Sequence, residues 1–260
     1  MKTHLEKEFC KQYEIIKAIS KGGFGTVYDG VKKSNKESVV IKKISSKKVS
    51  VSSGLPSEVL FLKKCKNIAN VIQILDFILC EENLYIVFEQ LENNIDLFDL
   101  ITDHFPLEEN VVRKIFKEIL KTIQILSNMD IYHFDVKDEN ILLGYPNLEI
   151  NKVNEPVFVK LIDFGNMKYG SKVNDSPFEP TRVFCPPEYI NYGLILPREF
   201  TVWSLGCLLY NMLNGDIPFQ FNIVENVKWH RQVSQDLTDL TNNCLLMEPS
   251  ERIDLHCISV

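Results

Sequence analysis

The sequence predicts an α+β fold in two parts: a small five-stranded sheet with one helix, then a larger and mainly helical part. Three observations predict it. Short runs of β-branched and aromatic residues crowd the chain before Glu89, a long helical period follows Leu107, and the pattern changes near Glu89–Asn94. At 260 residues the chain is long enough to bury a sizeable core. Its 45% hydrophobic and 25% charged residues exclude extended disorder.

Tyr13–Ile19, Thr26–Val31 and Val39–Ile44 read as strands parted by Gly or Ser/Asn/Lys turns. Ser45–Pro56, rich in Ser and Lys, reads as a loop. A helix is expected over Ser57–Lys66 with Ser57 as its N-cap. Val71–Phe77 and Leu84–Phe88 complete the five strands. Over Leu107–Asn128, Val112, Ile115, Phe116, Ile119, Leu120, Ile123 and Leu126 recur on one helical face, and Pro106 suits the helix start. Thr201–Leu213 is apolar nearly all round, which predicts a buried central helix too short to span a bilayer. No internal repeat is visible.

Charge is uneven. Up to Glu89, 15 Lys and no Arg face 10 acidic residues; from Gln90 on, 14 basic residues face 25 acidic ones, for a net −6. Two differently charged solvated surfaces would explain this, and so would a second part that attracts a cationic peptide. No basic stripe for nucleic acid is present. The seven cysteines are scattered and form no C-x-x-C pair, so neither a disulfide framework nor a zinc site is expected, and a reducing compartment is. Met1–Lys7 has no apolar stretch, so no secretory signal is expected.

The segment Ser20-Lys21-Gly22-Gly23-Phe24-Gly25-Thr26-Val27 lies between two strands, where glycines let backbone N–H groups cover phosphates. A plain glycine-rich hairpin turn would look the same. Lys42, inside the run Val39-Val40-Ile41-Lys42, needs a partner if its strand is buried, and Glu58 on the following helix is the natural one. Such a pair would hold an ammonium for the phosphates of a nucleotide; a surface lysine beside an unrelated glutamate is the plain alternative. The third run decides between them. Tyr132-His133-Phe134-Asp135-Val136-Lys137-Asp138-Glu139-Asn140 precedes Ile162-Asp163-Phe164-Gly165. Phosphoryl transfer needs a carboxylate to orient the attacking hydroxyl, a nearby cation and oxygen ligands for Mg2+. Asp135 is the candidate base, Lys137 the cation, and Asn140 and Asp163 the metal ligands.

These motifs resemble the signature set of protein kinases, over about Tyr13 to Arg252. The resemblance implies a bilobal kinase-like fold in a single domain over residues 1–260, with lobes of about 1–89 and 90–260, in which Lys42, Asp135 and Asp163 meet around one metal-bound triphosphate. It implies ATP with Mg2+, and an ATP site drawn from Ser20 to Gly25, Val27, Val40, Lys42, Phe88, Glu89, Leu91, Leu142 and Ile162. Thr181 joins Asp135, Lys137, Lys42 and Glu58 in the catalytic set. Pro186-Pro187-Glu188 stands where the family has Ala-Pro-Glu, and Arg252 is placed to pair with Glu188.

A narrower resemblance is to the PIM serine/threonine kinases, through Gly22–Tyr28, Asp96-Leu97-Phe98-Asp99, Asp135–Leu142, Thr181–Phe184 and Gly215-Asp216-Ile217-Pro218-Phe219. It implies an activation segment independent of phosphorylation and a preference for arginine-rich protein substrates, whose basic side chains would meet Asp96, Asp99, Glu139 and Asp216. A solvated acidic face remains the alternative for those four. A monomer in the cytoplasm, and also in the nucleus, is expected, with no membrane or nucleic-acid partner.

Departures from the pattern carry expectations of their own. Ser20 replaces the first glycine of the nucleotide loop and reduces backbone freedom there; Val40 replaces a small alanine above the adenine; both predict a raised Michaelis constant for ATP. Phe88 narrows the back of the pocket. Leu91 stands where PIM kinases have a proline and restores an N–H donor. Phe134 replaces the arginine that commonly reads a phosphate in the activation segment. Pro180 replaces a glycine before Thr181, and Thr201 replaces the aspartate that usually anchors the catalytic loop. The chain stops at Val260 with little room for a last helix, so either the domain is short or the sequence is incomplete. Ser20, Val40, Phe134 and that ending leave a second reading open, a non-catalytic kinase-like scaffold. Lys137, two residues after Asp135, argues against tyrosine specificity, and a glycine loop between strands argues against other nucleotide-binding folds.

Overall fold

The structure, a computed structural model, describes residues 4–23, 25–144, 157–175, 179–219 and 227–260. Its chain divides into two compact units, residues 1–92 and 93–260.

In the first unit, α1 (His4–Gln12) leads into β1 (Tyr13–Gly22), β2 (Gly25–Lys32) and β3 (Glu37–Ser45). A small hairpin of β4 (Val51–Ser52) and β5 (Leu55–Pro56) precedes α2 (Ser57–Lys64), and β6 (Ile74–Leu79) and β7 (Asn83–Glu89) follow. Five strands form one antiparallel sheet in the order β1-β2-β3-β7-β6. Strand alternation sorts the side chains of β3. Val39 and Ile41 enter an apolar cluster with Tyr13, Tyr85, Val87 and Cys80, while Val40 and Lys42 face the other way. The cluster is closed by α1. Phe9 stacks on Tyr85 at 4.2 Å and on Tyr13 at 5.5 Å, and the Asn83 amide and Tyr85 hydroxyl donate to Glu6.

Three local expectations change. Ser45–Pro56 is not all loop, since it holds a 3-10 turn and the β4–β5 pair. Ser57 is the first residue of α2 rather than its cap; Pro56 holds the cap position and no side chain caps the helix. The strand expected at Val71–Phe77 runs from Ile74 to Leu79, and the apolar Val71 and Ile72 that suggested an earlier start are buried outside it.

The second unit begins with β8 (Asn94–Asp96), α3 (Leu97–His104), α4 (Glu109–Asn128) and β9 (Ile131–Tyr132). It continues through β10 (Ile141–Gly144), β11 (Phe158–Leu161), β12 (Lys168–Tyr169), α5 (Pro187–Tyr192), α6 (Pro197–Asn214) and α7 (Gln235–Cys244). Strands β11-β10-β8 form one small sheet and β12-β9 another. The apolar face read from Val112 to Leu126 is buried throughout. Pro106 lies outside α4, whose cap position is held by Glu108. Every residue of α6 from Phe200 to Asn214 is buried, and α4 and α7 pack against it. Gly206 permits the approach of α7: a Cβ there would lie 2.7 Å from that of Cys244. The result is a helical frame with α6 at its centre, from which the loops after β9 and β11 are hung. Among the described residues, no helix is long and apolar enough to cross a membrane.

Candidate active site

The first unit holds the glycine turn and a buried ion pair. β1 and β2 meet at Gly22↔Gly25, with Gly23 in the turn; Phe24 lies outside the described residues. Gly25 has φ +139, and a Cβ there would lie 2.4 Å from the carbonyl oxygen of Lys43, so β3 demands glycine at this point. Gly22 and Gly23 face open space, and the Lys48 ammonium donates to the Gly23 carbonyl at 2.8 Å. Ser20 pairs with Val27 inside β1 and is not among the positive-φ positions, so its Cβ imposes no backbone strain. The β1–β2 register is irregular between Ala18 and Ser20, just ahead of the turn. Lys21 is exposed beside it, paired with Thr26.

Antiparallel register places Val27 opposite Lys42 and Val40 opposite Phe88, so these four side chains share one face of the sheet. Lys42 Nζ donates to Glu58 Oε1 at 2.7 Å, with both side chains about nine-tenths buried. Sequestering a lysine this way requires the carboxylate, and removing either partner of such a pair costs ~3–5 kcal/mol. Val40 adds its methyl groups directly against Phe88. Glu89 closes β7 with its N–H on the Gln73 carbonyl and its carboxylate on the Gln73 N–H, both at 3.0 Å. Leu91 follows, half-buried. Ile19, three residues before Gly22, is an apolar side chain left 52% exposed.

The second unit holds the candidate reacting groups. Asp135, in the loop after β9, is 4% exposed. Its Oδ1 accepts the backbone N–H of Thr181 at 2.9 Å, and its Oδ2 accepts Asn140 Nδ2 at 3.0 Å. A carboxylate has about four acceptor positions, so capacity is left for a hydroxyl. Thr181 thus reaches the base through its main chain. Lys137 Nζ lies 3.9 Å from Asp135 Oδ2 and 2.5 Å from Glu139 Oε2. Burial lowers the Lys137 pKa, but the Glu139 hydrogen bond and the charges of Asp135, Glu139 and Asp163 outweigh it and leave a firm cation. His133 accepts the Asp135 N–H on Nδ1 at 3.3 Å, which leaves Nε2–H to donate to the Ile162 carbonyl at 3.0 Å. Burial depresses the His133 pKa, in keeping with this neutral tautomer. Leu142 is half-buried in β10, paired with Asp96 and Lys160.

Asn140 donates its amide twice, to the Asp135 carbonyl at 2.7 Å and to its carboxylate, which leaves the amide oxygen as the candidate metal ligand. Asp163 sits at φ 59 after β11 and accepts the Gly165 N–H at 3.4 Å. A carboxylate and an amide oxygen fit a hard divalent cation such as Mg2+, which takes few protein ligands and completes its shell with water and phosphate oxygens.

Two anchors were not assigned roles from sequence. Asp138, pushed up in pKa by burial, accepts Asn211 Nδ2 of α6 at 2.6 Å and the Glu139 N–H at 3.0 Å. Phe134, at φ 57 and 1% exposed, packs edge-on against Phe200 at 5.3 Å within a cluster of Tyr132, Val173, Cys185 and Phe200. The left-handed backbone costs ~1–2 kcal/mol, which burial of a whole aromatic ring offsets. An apolar cluster therefore fills the place where an arginine would read a phosphate. Thr201 donates to Pro197 within its own helix, so α6 holds the loop through Asn211 and Phe200 instead. Arg252 grips Glu188 with two 2.7 Å hydrogen bonds and stacks over Trp203.

Of the proposed substrate contacts, Asp96 caps α3 by accepting the Asp99 N–H at 2.7 Å, and burial raises its pKa with Asp99 and Glu139 as charged neighbours. Asp99 and Glu139 are exposed. Asp216 is exposed beyond α6 and caps Ile217 N–H. Asp96 thus has a structural task whatever else it touches.

A carboxylate held by main chain and amide, with a cation beside it, is the arrangement a phosphotransferase requires, and the fold is of the protein kinase type. The protein kinase domain model matches residues 13–259, and the chain belongs to that family, among its PIM-like serine/threonine members. Serine/threonine-protein kinase prk-2 of Caenorhabditis elegans is 33% identical over 96% of this chain and 58% of that protein. Serine/threonine-protein kinase pim-2 of Danio rerio is 34% identical over 97% of this chain and 84% of that protein. The chain thus spans little more than half the length of the first of these relatives. The crystal structure of Rad53 1-466 in complex with AMP-PNP has the same fold, with a TM-score of 0.73 at 22% identity over 95% of this chain and 64% of that one.

Proposed function

We propose that this chain transfers the γ-phosphate of ATP to serine or threonine in arginine-rich protein substrates, without prior phosphorylation of its own activation segment. The observation that carries the reading is the Asp135 carboxylate, fixed by the Thr181 N–H and the Asn140 amide with the Lys137 cation beside it. Asp135 orients the substrate hydroxyl and accepts its proton, and Lys137 neutralises charge on the transferring group. Lys42, held by Glu58, positions the phosphates under the glycine turn. Asn140 and Asp163 would hold Mg2+, which when bound neutralises the triphosphate. Independence from phosphorylation is supported by Phe134, which leaves no guanidinium at its position to read a phosphate. Asp99, Glu139 and Asp216 would meet substrate arginines. Val40 against Phe88 narrows the adenine face and would raise the Michaelis constant for ATP. The protein would act as a monomer in the cytoplasm, with the nucleus as a second location.

The test is a positional-scanning peptide library with purified protein, ATP and Mg2+, alongside Asp163→Ala. Expected are selection for arginine upstream of serine or threonine and loss of transfer in Asp163→Ala. Undiminished transfer by that variant would overturn the role assignment. ATP binding without any transfer would leave the chain a scaffold.

A further inference from the structure

We infer that Asn166 is a positioning residue: its side-chain amide latches the start of the activation segment to Glu179 and thereby sets the Thr181 N–H on Asp135. The inference rests on the kinase reading and adds a residue that no motif marks. Asn166 ends the 3-10 turn Phe164–Asn166, which Asp163 caps, and it is 5% exposed between the buried Phe164 and Met167. Its Nδ2 donates to the Glu179 carbonyl at 3.0 Å, and its Oδ1 accepts the Glu179 N–H at 3.3 Å. One amide therefore satisfies both polar groups of a single residue 13 positions away, as a neighbouring strand would. An apolar side chain at 166 would leave both groups unpaired.

From the latch to the base the path is short and stiff. Pro180, with its φ fixed by the ring, links Glu179 to Thr181, whose N–H lies 2.9 Å from Asp135 Oδ1. The turn that carries the candidate metal ligand and the candidate base are thus tied together through Asn166, by hydrogen bonds to main-chain groups rather than by a phosphate. This is a device suited to a segment whose arginine reader has been replaced by Phe134. It also gives Pro180 a role: a glycine there would slacken the link.

The test uses the full chain as wild type, Asn166→Ala and Asn166→Asp, read by steady-state kinetics and by amide exchange at Glu179. For Asn166→Ala we expect kcat to fall roughly tenfold with KM for ATP held within about twofold, and Glu179 exchange to accelerate at least about tenfold. Asn166→Asp supplies a readout that a general loss of stability would not move. A protonated carboxyl has one donor and one acceptor, like the amide, whereas the carboxylate only accepts. Burial raises a carboxyl pKa. Activity of this variant, divided by that of wild type at each pH, should therefore climb toward one as pH falls from about 8 to about 6. Unchanged Glu179 exchange in Asn166→Ala, or a ratio for Asn166→Asp that is flat with pH, would overturn the latch. Wild type with no transfer at all would sink the kinase reading alone, because the exchange arm still decides whether Asn166 holds Glu179.

Discussion

Phe134 and Asp135 are neighbours in the chain, yet they face opposite surroundings. The Asp135 side is a polar network in which Thr181, Asn140 and Lys137 converge on one carboxylate. The Phe134 side is an apolar cluster in which Tyr132, Val173, Cys185 and Phe200 pack on one ring. Each side reaches the activation segment, one through hydrogen bonds and the other through burial. Under the proposed function the difference separates two tasks that an arginine at position 134 would have joined: the polar side would do the chemistry, and the apolar side would hold the loop with no charge to be answered by a phosphate.

Breaking the polar side should give the larger effect. Asp135→Asn keeps the shape but loses the proton acceptor, so transfer from labelled ATP should fall on the order of a thousandfold, with the melting temperature little changed. Retention of most activity would mean that another group orients the hydroxyl. Breaking the apolar side should act on stability instead. Phe134→Ala empties a buried ring site and should cost ~3–5 kcal/mol in denaturant unfolding, a large part of the ~5–15 kcal/mol that holds a typical protein together. A cost under about 1 kcal/mol would show that the cluster is not what holds the loop.

A smaller, pH-dependent effect sharpens the boundary between the two sides, where His133 sits. Its imidazole is buried and depressed in pKa, so below an unfolded value of about 6.5 the unfolded chain binds more protons than the native one. The stability His133 contributes is complete above that value and is lost as pH falls toward the folded one, by at most about 1.4 kcal/mol per pH unit. Unfolding free energies measured between about pH 7 and pH 5 should show this slope, and His133→Asn should flatten it.

Much of this arrangement was legible in the sequence, for reasons that also explain the rest. The helices α4 and α6 announce themselves because many apolar residues repeat at one period, and the strands of the first unit because branched side chains alternate between turns. The helix α1 gave no such signal, since Phe9 alone is buried from it. Asp135, Lys137, Asn140 and Asp163 stood out as candidates because phosphoryl transfer needs groups of those kinds, and the structure brings Asp135, Lys137 and Asn140 together. The contacts of Asn166, Asn211 and Phe134 were not, because each is a lone residue that meets distant parts of the chain, and one residue carries no period. Asp96 shows the reverse case: its motif suggested substrate, and the helix cap it forms is visible only once α3 is in place.

The central claim, that this kinase works with its activation segment held by packing and main-chain hydrogen bonds rather than by a phosphate, is tested most directly on protein freed of phosphate. Phosphatase-treated chain, shown by intact mass to carry no phosphate, should transfer labelled phosphate from ATP to an arginine-rich serine peptide at its full rate from the first turnover. A lag that ends only as the chain gains phosphate on its activation segment would contradict the account.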